Sequence, residues 1–592
     1  MCGIAGVLGV DARCSEERVA EMVAKLRHRG PDGSGIFGDR EAILGHCRLA
    51  IVGLGEAGCQ PMTSRDGRWT ITFNGEIFNF IEMRSQLRGD FRRDFRSNTD
   101  TEVLLEACAA WGVEEALRRA AGMFAFAIWD RHERELTLAR DRLGEKPLVY
   151  FWDGKILAFA SELKALDGFH NRELNPGAVD TYLGLGYVPA PEAIFRHCRK
   201  LSPGHLLRLR AGDSPRPQRW WFPAETPAEA YGSVADRRAR LRQQVSQAVE
   251  QRLRADVPIA LGLSGGVDSS VIAAECVRQG AHPDAFTVRF GADTAPDVGT
   301  DAWYARQVAR HLGLRHHVID GGALETPAAM EELVGRMVAH YDEPLADSSA
   351  LPTLALARCV AGSYKVILDG DGGDEAFGGY KHYQYVAAKQ AVKAVAAAAG
   401  LCDGRGGGWS GVYVESKAVF RARQRAQLLN GHGVGNCLPQ TLRHRAAQAA
   451  TGSALQRALA TDRELPLANG LNYKMDIALG AFGMEGRAPF LDHRVVEWAQ
   501  HLPARDLVRG RQKKVLLRAA YAEDFPKGLL DRPKQGFGAP IGAWLAGPLR
   551  GLVTDCLPCP LLDHGGNAGW DGQRLWTLVL FAAWARHWRA TW

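Results

Sequence analysis

Two domains of different class are predicted, a sheet-rich α+β domain followed by a doubly wound parallel α/β domain. Three observations carry this. The chain has 592 residues, too many for one hydrophobic core. Short apolar runs bounded by Gly or Asp crowd the first part, whereas later apolar runs alternate with longer helical patterns. Between them, a polar stretch punctuated by proline over 211–227 reads as a linker. The division predicted is 1–208, a linker over 209–232, and 233–592.

In the first domain, strands are expected over 4–8, 69–73, 123–129, 135–139, 148–152 and 156–161. Helices are expected over 15–26 and 100–111, the second with Val103, Leu104, Ala107 and Cys108 on one face. In the second domain, buried strands are expected over 258–263, 285–290 and 365–368, and helices over 237–254, 269–279 and 301–312. The low-complexity segments 387–400 and 404–408 read as a helix end and a mobile loop, and there is no internal repeat.

Composition excludes several roles. The net charge of +6 is small, and the arginines are scattered rather than grouped with aromatics, so no nucleic-acid partner is expected. The locally basic 421–425 and 443–445 read as solvated surface. No apolar run of membrane length and no basic leader are present, so neither a membrane span nor a signal peptide is expected. Twelve cysteines without framework spacing suit reduced thiols in a cytoplasmic enzyme. Cys556 and Cys559 form a C-x-x-C, but no second pair follows, so a zinc ribbon is not expected.

Candidate chemistry begins at Cys2. Removing the initiator Met would leave a thiol beside a free α-amine, a nucleophile carrying its own base. The plain alternative is a small buried residue. A second candidate follows the strand at 258–263: Ser264-Gly265-Gly266-Val267-Asp268-Ser269 opens a helix, where backbone N–H groups and a positive dipole end gather an anion. The glycines let the main chain approach closely, and Asp268 suits a Mg²⁺ bridging phosphate oxygens. No Walker loop is present. The segment resembles the S-G-G-x-D-S pyrophosphate loop of ATP pyrophosphatases, a pattern expected by chance on the order of 10⁻³ times in such a chain. It also satisfies G-x-S-x-G, so an α/β serine hydrolase with Ser264 as nucleophile is a rival reading. A third candidate is Asp369-Gly370-Asp371-Gly372-Gly373-Asp374-Glu375, carboxylates beside glycines after a strand, suited to Mg²⁺ and phosphate.

Together these segments resemble the glutamine-dependent asparagine synthetase family over nearly the whole chain. The first domain resembles a class II glutamine amidotransferase, which implies an N-terminal nucleophile fold, an αββα sandwich. The second resembles the family's ATP-pyrophosphatase domain. The motifs are Arg27-His28-Arg29-Gly30-Pro31-Asp32-Gly33, His46-Cys47-Arg48, Phe73-Asn74-Gly75-Glu76, Thr99-Asp100-Thr101-Glu102, Asp342-Glu343-Pro344, Glu485-Gly486-Arg487-Ala488-Pro489-Phe490-Leu491-Asp492, Lys514-Val515-Leu516-Leu517-Arg518 and Arg532-Pro533-Lys534-Gln535-Gly536-Phe537.

The resemblance implies roles. Cys2 attacks glutamine, with Asn74 and Gly75 as oxyanion hole. Arg48 grips the α-carboxylate, Leu49, Ala50, Ile51 and Val52 line the pocket, and Glu76 and Asp100 take the ammonium. ATP falls to Leu263, Ser264, Gly265, Gly266, Asp268, Ser269, Val288, Asp369 and Gly370, the adenylate to Asp371 and Glu375, charge neutralisation to Lys514, and Mg²⁺ to Asp268 and Asp374. The implied activity is glutamine-dependent, AMP-forming amidation of a carboxylate. Aspartate is the acceptor the family implies, and uronic acid sugars or peptide-like acids are the alternatives. A homodimer is compatible with the sequence. Two departures stand out: Asp369 replaces the family's usual Ser, and Leu479-Gly480-Ala481-Phe482-Gly483-Met484 replaces the usual lead into Glu485, which puts the acceptor pocket in question.

Overall fold

The computed structural model describes every residue except Val10, 224–231, 290–299, 322–325, 399–412, 414–416, 431, 433–452, 532–538, 558 and 563–569. Among the described residues the first domain contains twelve strands: β1 (Gly3–Leu8), β2 (Gly33–Gly38), β3 (Ala42–Arg48), β4 (Met62–Thr63), β5 (Trp69–Ile77), β6 (Gly122–Asp130), β7 (Glu135–Arg140), β8 (Val149–Trp152), β9 (Leu157–Ala160), β10 (Cys198–Lys200), β11 (His205–Leu209) and β12 (Gln218–Arg219). They form two six-stranded antiparallel sheets, ordered β10-β8-β9-β1-β3-β2 and β12-β11-β7-β6-β5-β4.

Strand alternation explains the layering. Ile4 and Leu8 of β1 meet Ala125, Ala127 and Trp129 of β6 between the sheets, while Ala5 and Val7 face the helix Glu16–Lys25 outside. Helices Phe80–Phe91 and Asp100–Trp111 cover the other sheet. Ser15 and Thr99 cap the helices that follow them, accepting from the N–H groups of Arg18 and Glu102. The result is the expected αββα sandwich. β5 runs four residues past its expected end at residue 73, because Asn74 and Gly75 stay in register with Ala125 and Phe124 of β6. The Asn-Gly pair is therefore strand, although it also reads as a hairpin signal. The glycine-rich β2 was not expected, nor were β3, β4, β10, β11 and β12.

In the second domain β13 (Ile259–Gly262), β14 (Asp284–Arg289), β15 (His316–Asp320), β16 (Val366–Leu368) and β17 (Glu485–Arg487) make one parallel sheet, ordered β15-β14-β13-β16-β17. Helices Val234–Arg252, Val267–Arg278 and Asp301–Leu312 flank it as expected. Its order reverses around β13, so the loops after β13 and β16 open into one crevice, where open α/β sheets bind ligands. Residues 387–398 of the low-complexity stretch fall within helix Lys381–Ala398, and 399–400 and 404–408 lie outside the described residues.

Buried ion pairs join the domains. Arg29 donates to Glu162 at 2.6 Å within the first domain and to Asp476 of the second at 2.7 Å. Asp342 and Glu343 of the D-E-P segment pair with Lys164 and Lys200, so they tie the domains together.

Candidate active sites

Cys2 lies just before β1, beside the end of β3, and its Sγ accepts from the Leu49 N–H at 3.4 Å. Burial holds this thiol above its usual pKa, and the adjacent amino terminus opposes that shift. With Met1 in place the terminal amine donates to the Met484 carbonyl at 3.2 Å, and burial lowers its pKa to about 5. Arg29 donates to the Cys2 carbonyl at 2.9 Å and so fixes the segment. Arg29 had no expected role beyond its motif; its partner Asp476 comes from the other domain.

Asn74 is fully buried, yet neither amide atom has a hydrogen-bond partner. A buried orphan of this kind needs an explanation, and a site that awaits a ligand supplies one. Gly75 admits no other residue, since a Cβ there would stand 2.1 Å from the Met123 carbonyl oxygen. Asp100 accepts from the N–H groups of Ile77 and Thr101 at 2.9 and 2.8 Å, and burial raises its pKa to about 6. Burial, then the Asp100 charge, also raises Glu76. Arg48 donates to the carbonyls of Gly53 and Gly55, the latter at 2.8 Å, which shapes the turn beyond Leu49–Val52. The Ala50 N–H is held by Asp32 at 2.7 Å, and the Ile51 carbonyl accepts from Asp256 of the second domain at 2.9 Å.

The crevice of the parallel sheet is a cavity of about 430 Å³. Of the residues predicted to hold nucleotide, adenylate or metal, Leu263, Ser264, Gly266, Asp268, Ser269, Val288, Asp369, Gly370, Asp371, Asp374, Glu375 and Lys514 line it. Gly265 does not. It takes a positive φ of 67°, and a Cβ there would come 2.4 Å from the Ala305 nitrogen. The two loops interlock, because a Cβ on Gly370 would meet Asp268 and Ser269 at 2.8 Å. Lys514, buried in a left-handed conformation, bonds Asp268 and reaches Asp374 at 2.5 Å. Burial opposes its charge, but the two carboxylates outweigh it and hold its pKa above the usual value. Glu375 accepts from the Tyr380 hydroxyl at 2.5 Å, and burial plus the neighbouring Asp374 raises its pKa to about 7.

The Ser264 hydroxyl meets the Ser269 hydroxyl at 3.1 Å, and no histidine lines the cavity among the described residues. A serine hydrolase needs such a base. Leu479 and Met484 pack into a core with Met1, Ala260 and Ile367 behind Val288 and Leu356 of the cavity wall, so the unusual lead into Glu485 does not itself form that wall. The predicted 532–537 signature lies outside the described residues.

A smaller cavity of about 30 Å³ adjoins the first and shares Asp369, Asp371 and Met475 with it. Met1, Glu145, Lys146 and Asp476 are also in its wall. The Met1 sulfur accepts from Lys146 Nζ at 3.0 Å. Nothing local in the sequence marks Glu145 or Lys146, which reach this place only by the folding of the two domains together.

The glutamine amidotransferase domain family matches residues 1–221, and the asparagine synthase family matches residues 240–588. Asparagine synthetase [glutamine-hydrolyzing] 1 of Bacillus subtilis is 29% identical over 99% of this chain and 96% of its own. A putative asparagine synthetase [glutamine-hydrolyzing] of Mycobacterium bovis is 31% identical over 98% of this chain and 95% of its own. The chain belongs to the glutamine-hydrolysing asparagine synthetase family and is a carbon–nitrogen ligase with glutamine as its amide-nitrogen donor.

Proposed function

We propose that the chain converts aspartate to asparagine, using glutamine hydrolysed at Cys2 and ATP bound in the parallel-sheet crevice. One observation carries the two-site reading: Met1 is joined to Cys2 and lines the same small cavity as Asp369 and Asp371. Its removal frees the Cys2 amine as base and vacates the space between that thiol and the nucleotide cavity. Ammonia released at Cys2 then reaches the second site without meeting bulk water, where it would mostly be protonated.

In the first step the Cys2 amine takes the thiol proton, and sulfur attacks the glutamine amide carbon. The Asn74 amide and the Gly75 N–H hold the oxyanion. Arg48 and the 49–52 wall orient the α-carboxylate, with Glu76 and Asp100 on the ammonium. Ammonia leaves, and water releases glutamate from the thioester. In the crevice the acceptor carboxylate attacks the α-phosphorus of ATP and pyrophosphate departs. Ammonia then attacks the acyl carbon, and AMP departs. The main chain and hydroxyls of 263–269 hold pyrophosphate, Val288 packs on the base, Asp369 and Gly370 contact the nucleotide through backbone, and Asp371 and Glu375 face the adenylate. Lys514 neutralises charge as adenylate and pyrophosphate separate.

Asp268 and Asp374 converge from two loops on one point. Two carboxylates match what Mg²⁺ takes from protein when phosphate oxygens and water complete its shell, so the donor set fits. Mg²⁺ bound there would offset charge on the phosphates. The division into 1–208, 209–232 and 233–592 belongs to the same reading, with the difference that β12 keeps Gln218–Arg219 of the linker stretch in the first domain's sheet. So does a cytoplasmic location, which the free cysteines among the described residues support.

Replacing Cys2 with Ala is expected to abolish glutamine-dependent synthesis and leave ammonia-dependent synthesis intact; equal loss of both would overturn the two-site reading. Pyrophosphate release across a panel of acids, aspartate first and uronic acids next, tests the acceptor.

A further inference from the structure

We propose that Lys474 and Asp347 select the acceptor, Lys474 holding its second carboxylate and Asp347 its amino group, so that the substrate class is an α-amino dicarboxylic acid. The proposal rests on the function inferred above and deepens it by naming the two side chains that read the end of the acid that does not react.

Four lysines and arginines line the large cavity among the described residues. Lys513, Lys514 and Arg518 come from one short segment, where Lys514 bonds the phosphate-loop carboxylate Asp268 and Asp374. Lys474 stands apart from them, on helix Asn472–Gly480, and is buried. Its Nζ donates to the Ser349 hydroxyl at 2.8 Å and lies 3.6 Å from Asp347 Oδ2. Ser349 in turn donates to Asp347 Oδ1, from its main-chain N–H at 2.9 Å and its hydroxyl at 2.7 Å. One hydroxyl therefore fixes a cation and an anion side by side. It uses one of the three ammonium donors of Lys474, and it leaves Oδ2 of the partly exposed Asp347 across a gap longer than a hydrogen bond. The backbone under the pair is held from several sides. The Tyr341 hydroxyl donates to the Lys474 carbonyl at 2.9 Å. Ala346, next to Asp347, donates to the Gly186 carbonyl of the first domain at 2.8 Å and accepts from Gln573 at 3.0 Å.

Charge decides what such a pair can take. Burial opposes the Lys474 charge, but Asp347, Asp371 and Asp369 outweigh it and hold its pKa above the usual value. Burial opposes the Asp347 charge as well, and Lys474 with the Ser349 bonds holds that carboxyl below its usual range. Both groups are therefore charged, and both face the cavity beside Asp371, which is assigned to the adenylate. An acidic amino acid activated at its side-chain carboxyl keeps an ammonium and a carboxylate on one carbon. Those two charges need opposite partners equally close together, and Lys474 with Asp347 supplies them without rearrangement. A uronic acid offers hydroxyls there and no second carboxylate, which leaves Lys474 and Asp347 without charged partners in a desolvated wall.

The test measures kcat/KM for pyrophosphate release by the full chain, with ammonia as nitrogen donor, on aspartate and on two acids that each lack one of its groups. Succinate lacks the amino group, and 3-aminopropanoate lacks the second carboxylate. Wild type is expected to prefer aspartate to either by at least about tenfold. D347N should cut the preference over succinate, and K474Q the preference over 3-aminopropanoate, each by at least about tenfold. A merely structural role would lower all three acids alike and leave both preferences standing, which overturns the proposal. D347N decides alone if K474Q does not fold, because it keeps the cation and the shape of the side chain. Glutamate preferred to aspartate in wild type, with the same response to the variants, would refute aspartate as acceptor and keep Lys474 and Asp347 in their roles. Release with uronic acids but with neither aspartate nor glutamate, or with no acid at all, would overturn both.

Discussion

Replacing Asn74 with alanine separates a residue kept for chemistry from one kept for packing. Its side chain is fully buried, and both Nδ2 and Oδ1 lack partners in the folded protein. An unmade hydrogen bond at a buried polar group costs about 1–3 kcal/mol, so truncation relieves a penalty while sacrificing only modest packing. Stability is expected to stay within about 1 kcal/mol of wild type or to rise by up to about 2 kcal/mol. Catalysis should move the other way. Loss of one oxyanion donor costs about 10²–10³ in rate, or about 2.7–4 kcal/mol of barrier. Glutamate release from glutamine reads the first site, ammonia-dependent pyrophosphate release reads the second, and a urea midpoint reads the fold. Glutaminase within threefold of wild type would refute the assignment. So would a stability loss above about 3 kcal/mol, because it would show the amide to be bonded in solution.

Three further outcomes follow from the same geometry. Because burial lifts Asp100 to about 6, its carboxylate is lost as pH falls below that value. Glutamine affinity should then weaken by up to about tenfold per pH unit, and calorimetry on the C2A variant checks this, with D100N flattening the profile. In the empty protein the sign is opposite: the folded state keeps a proton that the unfolded chain releases, so the Asp100 contribution to stability is lost as pH rises from about 4 to about 6. Lys514→Met should reduce amide synthesis from glutamine or ammonia by at least about a hundredfold and spare glutaminase, since Asp268 and Asp374 are left facing each other without their cation. Normal synthesis would remove Lys514 from the mechanism. A fluorophosphonate is expected to leave Ser264 unlabelled in the absence of ATP, and stoichiometric labelling would revive the hydrolase reading.

Legibility in the sequence tracked how local each signal was. The loop at Ser264 and the acidic loop at Asp369 were readable because strand, glycine turn and helix start are consecutive, and they meet at the expected end of the sheet. Helix Asp100–Trp111 was readable from its apolar positions, although the structure buries every residue from Asp100 to Cys108, whereas helix Phe80–Phe91 was missed because only Met83 and Leu87 are buried along it. Asn74-Gly75 shows the limit of a local rule: its turn signal lost to ladder pairing with Ala125 and Phe124. The E-x-R motif was visible, but nothing near it in sequence announced that Arg487 would meet Glu76.

By itself the sequence determined the two classes of domain, the family and the candidate reactive groups, because each was written in residues a few positions apart. Only the tertiary structure decided which charges became partners. Arg29 finds Asp476 across 447 positions, and the D-E-P carboxylates turn from the crevice to the domain boundary. It also placed Met1 in the wall of the smaller cavity. The physical reason is that burying a charge is tolerable only beside an opposite one, and that requirement is met by whatever surface folding brings near.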